Sequence, residues 1–318
     1  MATYDVVNKK LVPRWTWTSS GDYSGQGNHN YVVADVDGDG CDEIVWGSMC
    51  VDHNGQGLYT TALGHGDAMH VGDFDPYLKG VEVFACNEVH FGSNLREGAT
   101  GKILMRHITP SDCGRCCAGN ISNDFKGAEI WAGGIGASAT DRIKINHFGV
   151  AENFTLYWDG DLLKEICDHR NFNKVTGVGY GQISKFINYG NIETLLAADA
   201  YSCNHSKGTP CLQADLIGDW REEVIWWRTD SMALRLYMTP YPTQQRIYTL
   251  LHDHQYRQAI CWQMCAYNQP PHPSFYLGDE FPTPIPAKST NGKLVWKGAS
   301  ARWNTSATNW MEGDDAAG

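Results

Sequence analysis

The chain repeats one phrase: an acidic or amide residue, a turn, a glutamate, then a β-rich apolar run. Asp35 leads to Glu43-Ile-Val-Trp46 and Asp73 to Glu82-Val-Phe-Ala85. Asn120 leads to Glu129-Ile-Trp-Ala132 and Asp215 to Glu223-Val-Ile-Trp226, with a worn copy at Asn191-Ile-Glu193-Thr-Leu-Leu196. A period of roughly 40–50 residues made of short strands and Gly/Asp turns is the signature of propeller blades. The expected fold class is therefore all-β, a β-propeller over residues 1–280. Its units lie near 27–60, 65–105, 113–160, 170–203 and 207–240, with a divergent last unit at 243–278. In that last unit Arg246–Leu251 and Ala259–Trp262 read as strands. A propeller also constrains function, because its sites gather at the mouth of the central channel.

With 42% hydrophobic residues, 12 Trp and 15 Tyr in 318 residues, the chain can bury a sizeable core. A net charge of −11 argues against nucleic acid, whose phosphates need Lys and Arg. It also opposes a polyanionic substrate unless bound cations reverse the local sign. No apolar run approaches a membrane span, and Met1–Asp5 lacks the features of a secretory signal. Among 11 cysteines, Cys113, Cys116 and Cys117 cluster, but no second CxxC pair follows, so structural thiols are expected rather than zinc. Residues 281–290 read as a Pro-rich linker, and 291–318 as the truncated start of a further β repeat or a disordered tail.

The sharpest local motif runs Asp35-Val-Asp37-Gly-Asp39-Gly-Cys41-Asp-Glu43. Carboxylates at alternate positions converge on a hard cation and glycine permits the sharp turn, so Asp35, Asp37, Asp39, Cys41 and Glu43 are candidate Ca²⁺ ligands. The second copy, Asp73, Asp75 and Glu82, lacks the third acid; a weaker ion and a hydrogen-bonded turn both stay open. Lys126 in the third copy is expected to fill the cation's space, and Arg221 in the fourth to make a salt-bridged turn. His29 and Asp67 hold equivalent places before Asp35 and Asp73, with His65 close to Asp67. These three either share one ion or are ordinary hydrogen-bonding residues. The same register aims Arg115 and Lys207 at that rim, which is then either an anion site or a solvated edge.

Other stretches carry more than a period. They are Gly25-Gln-Gly-Asn-His-Asn30, Leu63-Gly-His-Gly-Asp-Ala-Met-His70, Ala214-Asp-Leu-Ile-Gly-Asp-Trp-Arg-Glu-Glu-Val-Ile-Trp226, Arg246-Ile-Tyr-Thr-Leu250 and Tyr267-Asn-Gln-Pro-Pro-His272. From about residue 11 to 279 the chain resembles bacterial rhamnogalacturonan lyases of polysaccharide lyase family 11. The resemblance implies an eight-bladed, Ca²⁺-binding propeller that cleaves the rhamnose–galacturonate backbone of pectin by β-elimination. It covers the C-terminal half of such a protein, so an N-terminal half and an extracellular location are expected of the full-length form. By resemblance Lys207 and Tyr267 are the acid/base pair, with Lys207 as base or the roles exchanged, and Arg115 steadies the acid sugar. Asn204, His205, Ser206 and Asn268 are the implied sugar contacts. The family pattern before the lysine is expected to read Asn-Gly-Thr, so His205 and Ser206 depart from it. The rival reading is a non-catalytic, calcium-stabilised propeller that binds carbohydrate or protein. It shares the acidic loops but does not require Lys207, Tyr267 and Arg115 together.

Overall fold

Each copy of the phrase folds as two antiparallel strands joined by the acidic turn, and the glutamate holds that turn closed. Glu43, Glu82, Glu129 and Glu223 each open the second strand of a sheet and are buried. One carboxylate oxygen accepts from the turn's backbone: Val36 N at 3.0 Å for Glu43, and Phe74 N and Asp75 N at 2.9 Å for Glu82. Glu129 accepts from Ile121 N (2.7 Å) and Ser122 N (3.1 Å), and Glu223 from Leu216 N (2.8 Å) and Ile217 N (3.1 Å). The clamp satisfies amide groups that the turn would otherwise leave unpaired. Glu165 makes it too, accepting from Trp158 N and Asp159 N. The missing copy is therefore led by Tyr157, while Asn191–Tyr201 is a strand paired on both sides and not a worn turn.

The computed structural model describes residues 1–265 and 267–284 and the backbone of strands Leu294–Trp296 and Trp310–Glu312. It divides into units Met1–Pro284 and Ile285–Gly318. In the second, the two short strands pair antiparallel; the rest of the expected linker and tail from 285 onward lies outside the described residues.

The first unit is all-β apart from short helical turns and one nine-residue segment. A hairpin, Ala2–Val7 with Lys10–Thr16, precedes three four-stranded antiparallel sheets in chain order. The first is Val32–Ala34, Glu43–Trp46, Met49–Val51 and Gly57–Thr60. The second is Met69–Gly72, Glu82–Asn87, Gly92–Glu97 and Ile103–Ile108, and the third Cys116–Gly119, Glu129–Ala132, Ile135–Ser138 and Lys144–Asn146. The fourth, Phe154–Leu156, Glu165–Asn173, Val178–Asn188 and Asn191–Tyr201, continues into Leu212–Ala214, Glu223–Arg228 and Leu234–Tyr237 through Tyr201 opposite Trp227. The third sheet thus ends at Asn146 rather than 160, and the fourth begins at Phe154 rather than 170.

The last unit departs from expectation. Leu250–His252 is a 3₁₀ turn and His254–Trp262 an α-helix (α1), where strands were read at 246–251 and 259–262. Asp253 caps α1 by accepting from Tyr256 N at 2.9 Å. Tyr256, Ala259 and Trp262 recur at helical spacing and are buried; Ala259 and Trp262 pack with Val32, Ala34 and Val45 of the first sheet. Gln255 donates to Val71 O (3.1 Å), and just past the helix Gln263 exchanges two hydrogen bonds with the backbone of Gln213 (2.8 and 2.7 Å). The segment therefore ties strands on both sides of it. No described helix is long and apolar enough to cross a membrane.

Burial pushes the Glu129 carboxyl up from 4.5 to about 8, even though two amides stabilise its charge. A carboxyl raised on folding contributes stability that is fully present below pH 4.5 and is lost as pH climbs through about 8. Glu129→Gln keeps the acceptor without the charge. It is expected to stay within about 1 kcal/mol of the parent at neutral pH and to gain on it as pH rises. Glu129→Ala, which orphans two amides, is expected to cost about 2 kcal/mol. Urea midpoints across that pH range check both.

Candidate active site

Gly66 sets the geometry of the rim. A Cβ there would lie 2.0 Å from Cys86 O, so a side chain at this position would push the rim segment off strand Glu82–Asn87. The close approach lets Gly66 O accept from His29 N (3.3 Å), while the adjacent His65 O accepts from Glu88 N (2.8 Å). The ligand atoms of His29, His65, Asp67 and Glu88 consequently fall within 4.8 Å of one another. His29 Nε2 is 3.4 Å from Asp67 Oδ1, and His65 Nε2 is 3.9 Å from Glu88 Oε2. His65 Nδ1–H donates to Gly27 O at 2.7 Å, which leaves the Nε2 lone pair facing the cluster. Burial, and then Asp67 beside it, raises the Glu88 carboxyl. Sequence reasoning assembled the first three residues and missed Glu88, which lies past the end of its strand and outside the repeated phrase.

Tyr267 joins this cluster to the basic groups. Its N–H donates to His29 O (3.1 Å), and its ring centroid lies 4.6 Å from that of His29. Lys207 Nζ stands 5.4 Å from the centre of the same ring. Arg115, 6% exposed, donates from Nη2 to Asn268 O at 3.1 Å, while Nε and Nη1 find no partner among the described residues. Burial lowers the Arg115 guanidinium from its ordinary value. A cleft of about 380 Å³ is lined by Arg115, Glu152, Asn153, Ser206 and Lys207 among others. Asn204 Nδ2 donates to Asn268 Oδ1 at 2.8 Å, so Asn268 is buried and engaged in holding the lysine loop, whereas His205 and Ser206 are exposed at its tip.

The acidic turns behave differently from one another. Asp35, Asp37 and Asp39 bring carboxylate oxygens within 4.8 Å of each other around Gly38 (φ 81°) and Gly40 (φ 91°). Glu43, fully buried, leaves Oε1 without a hydrogen-bond partner among the described residues, 3.7 Å from His53 Nδ1. Burial pushes its carboxyl up to about 7. His53, not anticipated from sequence, also meets Asp52 (2.7 Å) and Asp39 (3.3 Å). Cys41 is exposed, its N–H bonded to Asp39 Oδ1. This crowd of oxygens, one of them buried and unpaired, fits a hard cation.

Asp73, Asp75 and Glu82 do not gather in that way. Asp75 accepts from Thr140 (2.9 Å) and Arg142 (3.3 Å), Asp73 accepts from Tyr276 N (3.1 Å), and Glu82 clamps the turn. Hydrogen bonds hold this turn and Arg142 neutralises Asp75, while the buried Asp73 Oδ1 has no hydrogen-bond partner among the described residues. Arg221 pairs with Asp219 at 2.5 Å, as the salt-bridged turn requires. Lys126 is exposed over Tyr77 and not inside the third turn. The lysine that does take a cation's place is Lys185, whose Nζ lies 2.5, 2.7 and 3.1 Å from Asp159, Asp161 and Glu165. Cys116 and Cys117 point to opposite faces of one strand and into two different cores, so they cannot share a metal.

Residues 1–287 match the family described as rhamnogalacturonan lyase family 11, C-terminal domain. The chain belongs to this family. It is 48% identical over 288 residues to rhamnogalacturonan endolyase YesW of Bacillus subtilis, covering 88% of this chain and 45% of that protein. It is 46% identical over 298 residues to the exolyase YesX of the same organism, covering 87% and 48%. The solved structure of YesW superposes with a TM-score of 0.82 at 47% identity over 90% of this chain and 49% of that one. A Bacillus licheniformis rhamnogalacturonan lyase also gives 0.82, at 45% identity over 89% and 48%. The chain thus spans about half the length of the relatives it matches.

Within this family 11 chain, the tip of the lysine loop has unusual backbone geometry. Asn204 and His205 both sit in the left-handed region, at φ 59° and 53°. A side chain crowds the backbone in this conformation, and glycine at 205 would remove that cost. His205→Gly is expected to raise stability by about 0.5–1 kcal/mol, net of the added freedom of the unfolded chain. The urea midpoint measures it.

Proposed function

We propose that this family 11 chain supplies the acid, the base and the charge-neutralising groups of a rhamnogalacturonan lyase, with its sheets arranged as consecutive propeller blades. The observation that carries the reading is the continuous row from Lys207 across Tyr267 to His29 and its carboxylate neighbours. The substrate in this reading is the pectic rhamnogalacturonan backbone, encountered outside the cell.

The C5 proton of galacturonate becomes removable only when the adjacent carboxylate is neutralised. The unpaired N–H groups of Arg115 are suited to hold that carboxylate. His29, His65, Asp67 and Glu88 would hold a divalent cation, which supplies positive charge to the same carboxylate when bound. Lys207, as the free amine, takes the C5 proton, and the electron pair forms the C4–C5 double bond as the glycosidic oxygen leaves. Tyr267 donates its hydroxyl proton to that oxygen. Asp35, Asp37, Asp39, Glu43 and the Cys41 carbonyl would hold a structural Ca²⁺ away from the reaction.

The test is ultraviolet absorbance of the unsaturated uronate, with rhamnogalacturonan and Ca²⁺, using the chain alone and joined to the N-terminal half of a family 11 relative. A rise in either format supports the lyase. Measurable binding with no rise in both formats would establish a sugar-binding module instead.

A further inference from the structure

We propose that Cys203 and Cys211 close into a disulfide that clamps the loop carrying Lys207. The two sulfur atoms lie 3.2 Å apart, closer than ordinary contact, and both residues are half-buried. They stand at the two feet of the loop, which are already aligned. Cys203 N donates to Thr209 O (2.7 Å), Thr209 N returns a bond to Cys203 O (3.2 Å), and Cys211 N is held by Ile225 O (2.8 Å). Forming the bond therefore asks for a small side-chain adjustment and no backbone rearrangement.

The loop between them has reason to need a clamp. Asn204 and His205 are left-handed, and within the loop the backbone is held by Lys207 N to Asn204 O (3.0 Å) and Gly208 N to His205 O (3.4 Å). Strained backbone persists only where its surroundings over-determine it. Fixing the feet covalently restricts the open forms that would carry Lys207 away from Tyr267. Cys86 and Cys116 offer a contrast: both are fully buried and direct their thiols to Ala68 O, out of reach of an oxidant.

The chemistry is an exchange with a low-molecular-weight disulfide. Either sulfur can donate in this contact, so whichever thiol loses its proton first attacks, and the steps balance equally from Cys203 or Cys211. With Cys211 first, its thiolate attacks one sulfur of the reagent and expels a thiolate. Cys203 then loses its proton, attacks the Cys211 sulfur and expels the second. Two protein thiols are oxidised by two electrons, and one disulfide is reduced to two thiols.

Native protein is treated with oxidised glutathione, alkylated and digested with trypsin, which cuts after Lys207. The expected product is a peptide pair joined through Cys203 and Cys211 that separates on reduction. Cleavage of the native protein after Lys207 should slow by about fivefold or more, because local opening is suppressed. Cys203→Ser and Cys211→Ser should each abolish both effects with an unchanged circular dichroism spectrum. Alkylation of both cysteines after oxidation, a bond from either to another cysteine, or a cross-link that leaves the cleavage rate unchanged would each overturn the proposal. None of these readouts needs turnover, so its failure is separate from failure of the lyase reading.

Discussion

Lys207→Ala is expected to lower the rate of uronate formation by about 10³-fold, in the range found when a positioned base is removed. Stability should move by less than about 1 kcal/mol. The asymmetry follows from where the side chain is. Lys207 is half-buried on a surface loop, and its described interaction is with the Tyr267 ring at 5.4 Å. Losing that contact costs a cation–π term and little packing. Initial rates by absorbance and a denaturant titration on the same preparation check the two halves. Should fold and rate fall together, the lysine is holding the loop and the proton transfer belongs elsewhere.

Lys185→Met is expected to do the reverse, costing about 3 kcal/mol of stability by stranding buried acids without a counter-charge. Lys185 and Asp159 are largely buried and Glu165 completely so. Pairing raises the lysine and lowers Asp159, whereas Glu165 goes up to about 8 because burial outweighs the lysine's pull. Nζ is shared among the three acids, with Glu165 pulling hardest on the lysine while burial drives Glu165 itself up, so the cost sits below the upper end for buried pairs. With the ammonium gone, Asp159, Asp161 and Glu165 remain as an oxygen cluster. Added Ca²⁺ is expected to raise the urea midpoint of the variant by more than that of the parent, since the loop at Asp35 and the His29 cluster are the same in both and the freed Asp159 cluster is the variant's alone.

Much of this arrangement could be read from the residues, and the exceptions share a cause. The repeated phrase was visible because the clamp needs a side-chain oxygen at one fixed reach, filled by glutamate in every copy, and a buried strand follows it. The fifth copy hid behind Tyr157 because the clamp bonds backbone amides, so the lead side chain is free to vary. Helix α1 was read as strand from the apolar letters of Ala259–Trp262, although Asp253 stood as a capping signal before it. At the rim, the register brought His29 and Asp67 together because they sit at matching places in adjacent units, and His65 follows as a near neighbour of Asp67. Glu88 and His53 sit at no such place, and Lys185 reaches its turn from the next strand of the sheet. Partners of that kind are set by how strands pair across the sheet, which no single window of sequence reports.

The segment after residue 250 bonds back to strands made some two hundred positions earlier: Tyr267 N to His29 O, Tyr276 N to Asp73, and His272 to His70. A chain emerging from the ribosome can form its early sheets one at a time, yet their inner edges stay unsealed until the final stretch arrives. Such long-range closure slows folding relative to local hairpin formation. Nascent chains released before that stretch would therefore expose apolar inner surfaces, making them natural clients for chaperones and proteases.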